Sequence, residues 1–180
     1  AQAYRPEDIL KKHRKALGGD EVIAGLVSVV YEADLETGQI KGTLKKWALP
    51  PNRTRTETNL PTIEETVVFD GKTLWTLDAG GNLSLGDEPT RRSALSEALL
   101  DCFSYTFPDS NLTVRFLTRE GELGRSFVVI EATPLAGVPV KLWIDEETWL
   151  LGKSEIAEDG FKVISEYNDY RSVQGLMFPY

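Results

Sequence analysis

The sequence predicts a mainly β protein of the α+β class. Its centre is a curled antiparallel sheet of about eleven strands, a half-barrel closed by an N-terminal helix and a mid-chain helix. Three observations predict this. From Leu26 onward, apolar and polar residues alternate with period two. Turn residues interrupt that alternation about every ten positions. Two segments instead place apolar residues three and four apart, the spacing of one helix face.

The first helix has several signs. Pro6 suits the first turn, where its missing N–H costs nothing. Glu7 and Asp8 stand at the positive end of the dipole, and Lys11, Lys12, Arg14 and Lys15 at the negative end. Ile9, Leu10, His13, Ala16 and Leu17 mark one face, and Gly18-Gly19 ends the helix. The basic cluster is read as dipole matching with Glu7–Lys11 and Asp8–Lys12 pairs. His13 is expected to be solvated or half-buried.

The strands follow. Val27, Val29, Tyr31, Ala33 and Leu35 point one way, and Ser28, Glu32, Asp34 and Glu36 the other. Turns are expected at Thr37-Gly38, Pro50-Pro51-Asn52, Leu60-Pro61-Thr62, Asp70-Gly71 and Asp78 to Asn82. Asp70-Gly71 reads as a two-residue type I′ hairpin turn. After Pro89 the spacing becomes helical, from about Thr90 to Phe107, until Pro108-Asp109-Ser110 stops it. Strands resume at Leu112–Thr118 and Phe127–Thr133, around a turn at Arg119-Glu120-Gly121. Val138–Ile144, Leu150–Ile156 and Phe161–Tyr170 complete the set, the last after a turn at Glu158-Asp159-Gly160. Gln174-Gly175 then opens a strand, Leu176 to Tyr180, that reads as barely begun, as in a domain cut short.

Composition excludes several functions. The chain has 180 residues and a net charge of −8. A chain of this size forms one domain and buries about 70% of its unfolded surface. Nucleic acid is not expected, since phosphate binding needs a basic face. No apolar run approaches the roughly 20 residues that span a bilayer. With one cysteine and one histidine, no internal disulfide forms and no Cys/His zinc site or Ser-His-Asp triad is signalled. No cofactor is expected. Cys102, on the apolar helix face, reads as a small buried hydrophobe.

Asp70 and Asp78 invite comparison with an acid pair. A strand of about six residues sets the turns that carry them roughly 20 Å apart, whereas carboxylates sharing a proton lie about 3 Å apart. They read as turn residues. Glu65 and Glu131 alternate with apolar neighbours, so a buried acid is conceivable there; ion pairing with Arg53, Arg55 or Arg115 is the simpler expectation.

An ordered set of segments gives a resemblance. "KALGGDEVIAGL" leads into "VSVVYEADL", then come "LPPNRTRTE", "VVFDGKTLW" and the mid-chain helix, and finally "LWIDEETWLLGKSEI" and "EYNDYRSVQGLMFPY". Over nearly the whole chain this resembles the outer-membrane lipoprotein carrier (LolA/LolB-like) superfamily. The resemblance implies a half-barrel domain over 1–180, residence in the periplasm or cell envelope, carriage of acyl chains in an apolar concavity, and no enzyme activity. Ala1-Gln2-Ala3 has the small-x-small shape left near a signal-peptidase site.

The cavity-facing residues are expected to be Val29, Tyr31, Trp47, Val67, Phe69, Trp75, Leu77, Val114, Phe116, Val129 and Leu142, with Leu95, Leu99 and Phe103 on the covering helix. Trp47, after Lys45-Lys46 and before Pro50-Pro51, is expected at a rim where an amphipathic ring meets a head group. The expected partner is an acyl-chain ligand or a lipoprotein. The alternative is an interaction or sensor module that binds another protein, or a downstream domain of a larger envelope protein.

Overall fold

The structure, a computed structural model, describes residues 4–107, 111–158 and 160–180. The termination at Pro108-Asp109-Ser110, the Asp159 turn and Ala1-Gln2-Ala3 lie outside the described residues. The chain divides into two compact units, Val27–Ser104 on the one hand, and Ala1–Leu26 with Tyr105–Tyr180 on the other.

The Val27–Ser104 unit is a six-stranded antiparallel meander in sequence order. Its strands are β1 (Val29–Thr37), β2 (Ile40–Leu49), β3 (Arg53–Leu60), β4 (Ile63–Phe69), β5 (Leu74–Asp78) and β6 (Leu83–Leu85). Val27 precedes β1 and is 83% exposed, so the dry face begins at Val29. The turns fall where the sequence places them, with one change of type. Residues 70–73 form a four-residue loop between paired Phe69 and Leu74, and Gly71 alone has positive φ there. The Asp70 carboxylate accepts from the Lys72 and Thr73 N–H groups at 2.8 and 2.7 Å. That Asx geometry replaces the type I′ turn.

A helix, Glu88–Asp101, follows β6 and packs on β3, β4 and β5. Asp87 caps it by accepting from the Thr90 N–H at 2.9 Å, and Pro89 sits in its first turn. It ends six residues before the expected Phe107. Phe103, buried at φ 59°, breaks the α-helical geometry, and Ser104–Thr106 form a single 3-10 turn.

The second unit holds a five-stranded antiparallel sheet: β7 (Leu112–Glu122), β8 (Arg125–Pro134), β9 (Val140–Asp145), β10 (Leu151–Glu158) and β11 (Phe161–Glu166). These two sheets thus hold six and five strands, and neither closes on itself. Arg119, Glu120 and Gly121 lie inside β7, not in a turn. The turn is Leu123-Gly124, with positive φ at both positions, the true type I′ pattern. Gln174-Gly175 repeats it and joins β12 (Arg171–Val173) to β13 (Leu176–Phe178). The segment at Leu176 is therefore the return strand of a hairpin.

Pro6–Leu17 is a helix, α1, with Ile9, Leu10, His13 and Leu17 buried. A five-residue helix, α2 (Asp20–Ala24), follows it; the mid-chain helix is α3. Asp8 pairs with Arg5 instead of Lys12. Lys12 lies over the Trp149 ring, 4.1 Å from its centroid, and Arg14 bridges Asp20 and the Thr106 carbonyl. Tyr4 stacks on Phe116, which sets α1 over the sheet face that carries Phe116. Gly18 has φ 133°, and a Cβ there would lie 2.3 Å from the Gly175 carbonyl oxygen. Only glycine fits.

His13 is fully buried, contrary to expectation. Its Nδ1 lies 2.7 Å from the Trp149 carbonyl and its Nε2 2.7 Å from the Tyr105 hydroxyl. A carbonyl only accepts, so Nδ1 carries the proton and Nε2 accepts from Tyr105. Burial holds the imidazole pKa down, at about 4.

Candidate ligand-binding site

In an antiparallel sheet, directly paired residues share a face. Register therefore decides which of the fourteen sequence-predicted residues can line one surface. In the first sheet, Val29 pairs with Ala48, Ala48 with Thr54, Thr54 with Phe69, and Phe69 with Leu74. One step along, Tyr31, Lys46, Thr56, Val67 and Thr76 form the next row. This is the face under α3: Phe69, Leu74 and Ala98 form a core cluster, with Val67, Ala94 and Leu95 packed against it.

Val29, Tyr31, Val67 and Phe69 thus share a face with the helix residue Leu95. Leu99 is half-buried on the same helix, and Phe103 is buried just after it. Trp47, Trp75 and Leu77 do not belong with them. Trp47 pairs with Val30 and Arg55, Trp75 with Val68 and Leu85, and Leu77 with Thr66 and Leu83. These three lie on the opposite face, and Leu77 is 43% exposed. The expectation of one shared cavity lining is corrected here. The physical reason is parity: side chains alternate, so a single odd step puts a residue on the other side of the sheet. The indole of Trp47 lies between two cations, with Lys45 Nζ 5.2 Å and the Arg55 guanidinium 5.8 Å from its centroid.

The second sheet shows the same split. Val114, Phe116, Ile130 and Leu142 occupy one face, since Val114 pairs with Ala132, and Phe116 and Leu142 both pair with Ile130. Val129 pairs with Trp143 on the opposite face, where Phe127, Val129 and Trp143 form a separate core with Leu117. A β-bulge at Leu117, between the Phe116 and Thr118 pairs, lets two residues oppose one. That shift brings Glu120 onto the Trp143 face, where it accepts from the indole N–H at 2.8 Å. β8 is consequently buried on both faces from Phe127 to Ile130.

Sequence reasoning missed the Lys46–Asp101 pair on the face under α3. Lys46 lies in the same row as Tyr31, and its Nζ is 2.8 Å from Asp101 near the end of α3. Both side chains are largely buried, 17% and 20% exposed. Burial works to lower the Lys46 pKa, but the charge and hydrogen bond of Asp101, together with Tyr31 and Glu97, outweigh it and the net shift is upward. Threonines 54, 56 and 58 occupy the same face along β3, all half-buried. No local signal marked the pair: Lys46 falls at a dry-face position only once Val29 is paired with Ala48.

Of the other chemical candidates, Glu65 lies on the α3 face, opposite Thr58 and Asp78 in the register, and the rest are accounted for structurally. Cys102 is buried, its thiol lies 3.8 Å from the Arg53 carbonyl, and burial pushes its pKa up to about 12. Glu131 pairs with Arg115 at 2.8 Å. Asp78 accepts from the Asn82 backbone N–H at 2.8 Å and from the Asn82 side-chain amide. It lies at the opposite end of β5 from Asp70. Among the described residues no group of three or more His, Cys, Asp or Glu side chains is placed to hold a metal.

Two concavities lie in the second unit. One, of about 380 Å³, is lined by Arg119, Arg125, Ser126, Asp145 and Glu146 among others. There, burial tends to raise the Glu146 pKa, but hydrogen bonds from Arg119, Ser126 and Tyr4 outweigh it and hold the carboxyl low. The other, of about 280 Å³, lies between Tyr4, Ile9, Lys12 and Trp149. Neither contains any of the fourteen predicted residues.

An α+β chain with open antiparallel sheets, each bearing a helix on one face, defines a fold class shared with known structures. The chain has a LolA-like fold. It is similar to a LolA superfamily protein from Nitrosomonas europaea, at 15% identity and TM-score 0.59, over 98% of this chain and 83% of that one. It is similar also to a putative outer membrane lipoprotein-sorting protein domain from Vibrio parahaemolyticus, at 12% identity and TM-score 0.57, over 97% and 82%. A DUF1329 family protein from Desulfovibrio piger matches at 12% identity and TM-score 0.58, over 97% and 83%. No protein-family model and no curated protein sequence matches the chain. Among the described residues no helix is long and apolar enough to cross a membrane.

Proposed function

We propose that this protein is a non-enzymatic binder or carrier of acyl chains, belonging to a lipid or a lipoprotein, and that it works in the bacterial cell envelope as one LolA-like domain. The observation that carries the reading is the seating of α3 on the face of Val29, Tyr31, Val67 and Phe69, where Lys46 and Asp101 tie the helix down. An acyl chain takes this place when α3 moves off the face, exchanging helix contacts for chain contacts. Each CH₂ transferred from water contributes about 0.8 kcal/mol, so a chain of ordinary length binds without any reactive residue. The LolA-like fold supports the reading, and the lipoprotein-sorting description of the Vibrio neighbour supports the ligand class.

Native mass spectrometry of the freshly purified protein, with organic extraction, tests this. An added mass matching a fatty acid, phospholipid or acylated peptide is the expected result. A bare mass, with no uptake of added fluorescent fatty acid, overturns it in favour of an interaction module.

A further inference from the structure

β1 ends the first sheet and pairs there with β2 alone. Its nine residues run in one unbroken register, with no bulge, proline or glycine. Such a strand leaves alternate backbone N–H and C=O groups outside the ladder along its free side. Glu32, Ala33, Asp34, Glu36 and Thr37 are exposed, so the free side is accessible over Glu32–Thr37, about 20 Å of strand. The opposite edge of the sheet, β6, offers only three residues.

Charge selects what can pair there. Glu32, Asp34 and Glu36 alternate along β1 on the face away from α3, and β2 sets Lys45, Thr43 and Lys41 opposite them. Lys45 and Lys41 pair with Glu32 and Glu36, so those two acids are matched. Asp34 faces Thr43, and its row continues through Asn59 to Glu64. Among the described residues neither Asp34 nor Glu64 has an ion-pair partner. The turns at this end, Gly38-Gln39 and Pro61-Thr62, carry no charge, so two carboxylates stay unmatched. The other face of β1 carries Val29, Tyr31, Ala33 and Leu35. A second copy of β1 does not fit this edge. In any register that overlaps Glu32–Glu36 with the faces aligned, carboxylate stands opposite carboxylate, and like charges directly opposed destabilise a strand pair.

We propose that the free edge of β1 takes up an extended segment of a partner protein as one more strand, with lysine or arginine at alternate positions and apolar residues between them. Main-chain hydrogen bonds along the edge hold such a segment, and its side chains set the specificity. Its cations meet Asp34 and the exposed Glu32 and Glu36, and its apolar side chains extend the row of Ala33 and Leu35. β2 shows the match from the other side of β1, with Lys41 and Lys45 on one face and Leu44 on the other. The same acids that keep copies of the chain apart admit a basic strand. The inference rests on pairing geometry and charge, and does not depend on the proposed acyl chain.

The test titrates the whole protein with a short fluorescent peptide in which lysine alternates with valine, and with a peptide of the same composition whose lysines and valines form two blocks. The alternating peptide is expected to bind at least about tenfold more tightly, less so in high salt. Amide exchange is expected to slow at alternate residues of Glu32–Thr37 when it binds. Asp34→Lys is expected to weaken binding about tenfold, since attraction across the new pair becomes repulsion. Glu147→Lys, the same change of charge at an exposed acid of the other unit, is expected to leave binding intact. Thermal unfolding checks that each variant is folded, and Asp34→Asn, expected to weaken binding about threefold, covers the case in which Asp34→Lys is not. Absence of wild-type binding overturns the proposal and leaves the acids as a guard against self-pairing. Equal binding of the two peptides with unchanged exchange in β1, or folded Asp34 variants that bind like wild type, also overturns it. So does slower exchange in β1 on raising the protein concentration without peptide, which would make the edge a contact between copies of the chain.

Discussion

Lys46 on β2 and Asp101 near the end of α3, 55 positions apart in the chain, meet at 2.8 Å beneath the helix. Their pairing ties the C-terminal turn of α3 to the sheet face that carries Tyr31 and Val67. Lys46→Ala removes the ion partner of the part-buried Asp101, with Glu97 nearby, so it is expected to destabilise the Val27–Ser104 unit by about 1–3 kcal/mol. Hydrogen exchange in the last two turns of α3 is expected to rise more than elsewhere in the unit. Uniform protection across the helix in the variant would show that the pair does not tether it.

The two faces of the first sheet separate by mutation. Leu95→Asp puts a charge between α3 and Val67 and is expected to abolish uptake of fluorescent fatty acid. Trp47→Ala, on the opposite face, is expected to leave uptake within about twofold. Loss of uptake in Trp47→Ala would place the acyl chain on the outer face instead.

His13 makes stability depend on acid. Its folded pKa, about 4, lies below the unfolded value of 6.5. The unfolded chain therefore takes up the proton first, and stability is lost as pH falls from 6.5 towards 4. One pKa unit is worth about 1.4 kcal/mol, so roughly 2 kcal/mol is expected to go between pH 6.5 and 5. Urea denaturation at pH 7 and pH 5 measures it, and His13→Gln is expected to flatten the difference. The carboxylates whose pKa values are held low, among them Asp70, Asp78 and Asp145, contribute their loss below about pH 4, outside this window.

Gly18→Ala tests the closure of α1 on the β12–β13 hairpin. The new methyl would meet the Gly175 carbonyl oxygen, and φ 133° is closed to alanine. A loss of more than about 2 kcal/mol is expected, readable as a fall in the denaturation midpoint. Gly38→Ala, at a positive φ with open space around the added methyl, is expected to cost about 1 kcal/mol.

Much of the local structure was legible in the sequence. Pro6, Glu7, Asp8 and Gly18 bounded α1 because caps, dipole and φ preference act over a few residues. The period-two runs located most of the strands for the same reason. Asp70 and Asp78 were legible as turn residues, although the type I′ turns formed at Leu123-Gly124 and Gln174-Gly175. The early end of α3 was not legible, since Leu99, Cys102 and Phe103 keep helical spacing while the left-handed Phe103 interrupts the helix.

What sequence alone determined was therefore the α+β class, the alternation and the positions of most turns, all consequences of short-range backbone chemistry. Tertiary structure decided which side of each sheet a residue occupies. Pairing Val29 with Ala48 sent Trp47 outward, and the bulge at Leu117 carried Glu120 to Trp143. It also decided that His13 lies inside, because Tyr105 and the Trp149 carbonyl, 92 and 136 residues away, supply the bonds that a buried imidazole needs. Side chains alternate every residue, so one step of register reverses a face, and only the partner strand fixes that step.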